Sequence, residues 1–103
     1  MTAKKIKVRE FDVAEMLDNE EVIAAYLSEM FAVGTDAEIK RALKDVARAR
    51  NMTEIAKKMN VSRPSLYKSL SGDSRTEFGT IRSFLDAVGV TMSIVPKHSV
   101  VNA

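Results

Sequence analysis

Cysteine is absent from the 103 residues, which excludes a disulfide framework and a thiolate metal site and suits a reducing cytoplasm. Histidine occurs once, at His98 beside Pro96 and Lys97. With no second titratable group to pair with, it reads as a solvated side chain rather than a base or a ligand. No apolar run approaches the roughly 18 residues that a membrane span needs, and no apolar segment of the signal-peptide kind opens the chain. The expectation is a cytoplasmic protein without a membrane partner. Also missing are a metal-ligand cluster, a nucleophile–base pair, a glycine-rich phosphate loop, an internal repeat and any low-complexity segment. No enzyme and no cofactor are therefore expected. The length fits one domain with a single modest core.

What is present is charge, unevenly spread. The net charge of +2 conceals three blocks. Residues 1–9 carry Lys4, Lys5, Lys7 and Arg9 with no acid. Residues 10–33 carry seven acids with no base, and residues 34–72 carry nine Lys and Arg against four acids. A basic block attracts a polyanion, whereas an acidic block repels one and suits a basic protein.

The apolar pattern is helical nearly throughout. Phe11, Val13, Ala14 and Leu17 crowd one side of a first short helix. Asp18 or Asn19 then caps a longer one bearing Ile23, Tyr26, Leu27, Met30 and Phe31, and Gly34 ends it. Thr35 stands three residues before Glu38, a capping-box spacing, and Ile39, Leu43, Val46 and Ala47 stripe the helix that follows. Asn51 is a stop. "TEFGTIRSFLDAVG" gives the last helix, with Phe78, Ile81, Leu85 and Val88 inward and Gly89 at its end. Val90, Met92 and Ile94 then alternate with Thr91 and Ser93, predicting a short β-strand halted by Pro96. A lone strand cannot satisfy its own backbone groups, so pairing with a second copy is expected.

Between these lies "MTEIAKKMNVSRPSLYKSLSG". Thr53 is expected to cap a helix with Ile55, Ala56 and Met59 on its inner side. Asn60 tolerates the left-handed backbone of a tight turn, and Val61 is expected to plug that turn into the core. Ser62 caps a second helix, so Pro64 falls in a first turn whose amides have no intrahelical acceptor; the proline starts the helix instead of breaking it. With Leu66 and Leu70 inward, Arg63, Ser65, Tyr67 and Lys68 remain on the surface near the helix start. That is where a helix-turn-helix recognition helix meets base edges. Arg63 is suited to the O6 and N7 of a guanine, and Lys68 to a base or a phosphate. Thr53, Lys57 and Ser71 flank the site as phosphate-holding candidates that set the register, and Ser62 is counted with the DNA-binding residues.

The stretch "IAKKMNVSRPSLYKSLSG" resembles the helix-turn-helix of the phage-repressor type, the Cro/CI-like group. The order of "FDVAEMLDNEEVIAAYL", "DVARARNMTEIAKKMNVSRPSLYKSLS" and "FGTIRSFLDAVGVTMSIVP" extends the likeness to the addiction-module antidote proteins, HigA-like antitoxins paired with RelE/HigB-like toxins. Asn60 departs from that family's usual turn glycine, and Ser74, Arg75 and Thr76 stand where Gly-Asn-Pro is frequent. The resemblance implies an antitoxin that neutralises an mRNA-cleaving, ribosome-associated toxin and represses its own operon.

The reading is thus an all-α bundle of five to six helices with a phage-repressor-like helix-turn-helix and a C-terminal strand used in dimerisation. Residues 1–9 form a basic arm, 10–96 one helical DNA-binding domain with the helix-turn-helix at 53–71, and 97–103 a tail. The expected partners are double-stranded operator DNA, a RelE/HigB-like toxin and a second copy of the chain. The acidic block, with Tyr26, Met30 or Phe31 as anchors, is the expected toxin surface. The basic arm is suited to phosphates or the minor groove. Two other readings compete: a stand-alone prophage-type repressor without a toxin, and a protein-interaction adaptor without DNA binding.

Overall fold

The computed structural model describes residues 16–71 and 75–97, and these fold as five helices: α1 (Glu20–Val33), α2 (Asp36–Ala49), α3 (Met52–Met59), α4 (Arg63–Ser69) and α5 (Phe78–Val88). The expected helix around Phe11 and the basic arm lie outside the described residues, as does His98.

Most of the helix starts are set by short polar side chains. The Asn19 side chain accepts the Val22 N–H at 2.9 Å and opens α1. Thr35 and Glu38 close a reciprocal capping box at α2, with bonds of 3.2 and 2.9 Å, so two first-turn donors are satisfied at once. The junction between α1 and α2 is tight. Gly34 has an ordinary φ of −85° and donates its N–H to the Met30 carbonyl at 2.7 Å. A Cβ at Gly34 would lie 2.7 Å from that same oxygen, so glycine is needed there for space and not for its torsional freedom. Gly89, by contrast, closes α5 at φ +91°, in the left-handed region that favours glycine.

The core gathers residues from every helix. Ile23 and Leu27 of α1, Ala42, Leu43, Val46 and Ala47 of α2, Met52, Ile55 and Ala56 of α3, Leu66 of α4 with Leu70 after it, and Phe84, Leu85 and Val88 of α5 are all buried, joined by Leu17. α1 packs chiefly on α2; α3 touches α2, α4 and α5 and is the hub of the arrangement. At about 1.5–3 kcal/mol for each large apolar side chain withdrawn from water, this one cluster supplies most of the driving force.

Polar contacts align α1 on α2. Asp45 accepts from the Tyr26 hydroxyl at 3.3 Å and, through its other oxygen, pairs with Arg48 at 2.9 Å. Arg50 donates to the Asp18 carbonyl at 2.9 Å and lies 3.6 Å from a Glu20 carboxylate oxygen. Burial, and then the neighbouring Asp45 charge and hydrogen bond, raise the Tyr26 pKa above its usual 10.0, with Arg41 opposing.

The structure corrects several expectations. No strand occurs among the described residues, and residues 90–96 run without a ladder, because the described residues offer no second strand to pair with. Ile94 is accordingly 90% exposed. Asn51, not Thr53, caps α3: its side chain accepts the N–H groups of Thr53 and Glu54 at 3.1 and 3.2 Å. Val61 stays 42% exposed instead of plugging the turn. In α5 the innermost aromatic is Phe84, while Phe78, at the helix's first position, overhangs the core and is 63% exposed.

Candidate nucleic-acid interface

The turn between α3 and α4 rests on one residue. Asn60 adopts φ 62° and ψ 41°, the left-handed well, and its N–H reaches the Ala56 and Lys57 carbonyls. The next N–H, of Val61, returns to Ala56 at 3.0 Å. The Ala56 and Lys57 carbonyls near the end of α3 are thereby satisfied while the chain reverses. Ser62 then accepts the Ser65 N–H at 3.1 Å and Arg63 and Pro64 form the first two positions of α4. The proline falls where its missing donor has no acceptor. Ala56 of α3 is small and buried.

Within this hairpin, Thr53 and Lys57 on α3 and Ser62, Arg63, Ser65, Tyr67 and Lys68 on α4 and its cap are exposed, while Ser71 is half-buried. They divide into three directions around α4, as its 3.6-residue turn requires. Arg63 and Tyr67, four residues apart, share one side. Lys68 lies opposite the buried Leu66 and Leu70. Ser65 turns the other way, into an open groove that it lines with Ser69, Glu77, Gly79, Thr80 and Ser83. The Ser62 hydroxyl, used as an acceptor in the cap, keeps its proton for another acceptor. The Ser71 hydroxyl donates to the Tyr67 carbonyl at 2.8 Å, so a phosphate there must take over that donor. Across residues 51–71 the only acid is Glu54, set against Lys57, Lys58, Arg63 and Lys68. The surface is cationic and free of a competing carboxylate cluster, the balance a polyanion requires.

One neighbour escaped the sequence reading. Lys44, from α2, holds its Nζ over the Tyr67 ring, 4.6 Å from the centroid. A basic residue on an adjoining helix facing an exposed aromatic is invisible to spacing rules, because the two are 23 positions apart and joined only by the packing of the bundle.

Among the described residues no group of His, Asp or Glu is arranged to hold a metal ion, and no helix is long and apolar enough to cross a membrane. The acidic side of the molecule is α1, where Glu20, Glu21 and Glu29 are exposed. Of the three apolar anchors expected there, Tyr26 and Met30 are half-buried and Phe31 is exposed at 37%.

A Haemophilus influenzae protein described as uncharacterized is 40% identical over 88 residues, which cover 85% of this chain and 91% of that protein. No solved structure matches the chain. A family model described as probable addiction module antidote protein matches residues 7–96, nearly the whole sequence. The chain belongs to that family of addiction module antidote proteins.

Proposed function

We propose that the protein is a sequence-specific DNA-binding antitoxin that neutralises a RelE/HigB-like mRNA-cleaving toxin and, as a homodimer, represses its own operon. The observation that carries the DNA-binding part is the α3–α4 hairpin: a left-handed Asn60, a Ser62 cap and an exposed cationic face on α4. In this reading the hairpin is a Cro/CI-type helix-turn-helix spanning residues 53–71. Arg63 reads a guanine in the major groove, with Ser65, Tyr67 and Lys68 beside it. Thr53, Lys57, Ser62 and Ser71 hold phosphates and fix the register. Two copies would address half-sites about 34 Å apart on a palindromic operator. The acid-only surface of α1, with Phe31 as an apolar anchor, suits a basic toxin.

Two measurements test the reading. Binding to a duplex of the chain's own promoter should weaken steeply with salt. Arg63→Ala should cost about 1–3 kcal/mol on that duplex and little on random DNA; equal losses on both would remove the base-reading role. Co-expression with the neighbouring gene product should yield a stable complex with a small basic partner. Tight promoter binding without such a complex would leave a repressor that has no toxin.

A further inference from the structure

Lys44 is half-buried, and a lysine so placed usually packs its aliphatic stem and keeps its ammonium at the surface. That ammonium lies 4.6 Å from the centre of the Tyr67 ring, within the roughly 6 Å over which a cation is drawn to an aromatic face. Asp45, next to it in the chain, is engaged by Arg48 and Tyr26. Among the described residues no carboxylate forms an ion pair with Lys44. An ammonium has three donors, and a ring face engages at most one of them. The others await acceptors beside Tyr67, on the side of α4 that also carries Arg63.

We propose that Lys44 is a phosphate-binding residue of the DNA interface, contributed by α2 from outside the hairpin and held ready by the Tyr67 ring; this rests on the DNA-binding reading above. A surface lysine usually loses rotamer freedom when it meets a phosphate. Here the ring has already restricted the side chain, so less freedom is lost on binding. Tyr67 then acts as a positioning residue: its ring, and not its hydroxyl, sets where the Lys44 charge sits.

The test is fluorescence-anisotropy binding to the chain's own promoter duplex and to a random duplex, over a series of salt concentrations. The variants are K44Q, K44R, Y67F, Y67A and K44Q/Y67A, with thermal melts to confirm that each folds. K44Q should weaken both duplexes by a similar factor and reduce the slope of log K against log salt by about 0.9, the loss of one phosphate contact. K44R should restore the slope, and Y67F, which keeps the ring, should leave it unchanged. The effects of K44Q and Y67A should fall short of additivity in the double variant, since both act through one placed charge. A K44Q protein with the wild-type salt slope would overturn the phosphate contact even if its melting temperature fell, because a merely structural contact does not change the number of counterions released. Full additivity would overturn the role of the ring. If wild-type protein binds neither duplex, the DNA-binding reading fails, and this inference with it. If the wild type binds and the K44Q slope is unaltered, only Lys44 is removed.

Discussion

The α3–α4 hairpin and α5 are secured by different means. Each junction of the hairpin is closed by a side chain or backbone group within the segment itself: Asn51 caps α3, Asn60 turns the chain, Ser62 caps α4, and the Ser71 hydroxyl bonds back to Tyr67. α5 starts on Glu77, whose side chain makes no capping bond, and leads with an exposed Phe78. It is held instead by Phe84, Leu85 and Val88, buried in the common core. The hairpin's geometry is thus written in local hydrogen bonds, and the position of α5 in tertiary contacts. Under the DNA-binding function proposed above, this division is economical. The part that must present side chains at a fixed angle is locally defined, and the part behind it is only required to fill volume.

Substitutions at three positions sharpen or break that contrast. Phe84→Ala should have the largest effect, destabilising the fold by about 3–5 kcal/mol in denaturant titration, as expected for a fully buried aromatic. A loss below about 1 kcal/mol would mean that α5 is not held by its core face. Asn60→Ala should cost about 1–2 kcal/mol, the penalty for a Cβ in the left-handed well, whereas Asn60→Gly should be nearly neutral. Equal destabilisation by alanine and glycine would indicate that the Asn60 side chain, and not its backbone, matters. Glu77→Ser should have the smallest effect and the opposite sign, raising the melting temperature through about 0.5–1 kcal/mol of new capping. An unchanged midpoint would show that the start of α5 needs no cap.

The sequence made the hairpin legible because its rules act over three or four residues. Asn60, Ser62, Pro64 and the Thr35–Glu38 box each stand where the pattern puts them. Local rules put the cap of α3 at Thr53 and read Asn51 as the stop of the preceding helix; the Asn51 side chain, which accepts the Thr53 and Glu54 N–H groups, is the cap. In α5 both Phe78 and Phe84 fit an apolar stripe, and only the extent of the neighbouring helices leaves Phe78 uncovered. The alternation after Gly89 satisfied a strand pattern, but a ladder needs a partner that a single-chain pattern cannot supply. The pairing of Lys44 with Tyr67 was illegible for the most general reason: it depends on how α2 and α4 are each placed against α3, which follows from the whole core.

The crowding at Gly34 has a consequence for how this sequence can drift. Two glycines that look alike in the chain differ in what they tolerate. At Gly79 a methyl group meets nothing within 4 Å, whereas at Gly34 it meets the Met30 carbonyl at 2.7 Å. In a saturating library selected for folded protein, position 79 should accept most residues and position 34 should return to glycine, although only its surroundings, and not its backbone torsions, demand it. The link between the acidic α1 and the more basic α2 therefore tolerates less change than position 79 at the start of α5.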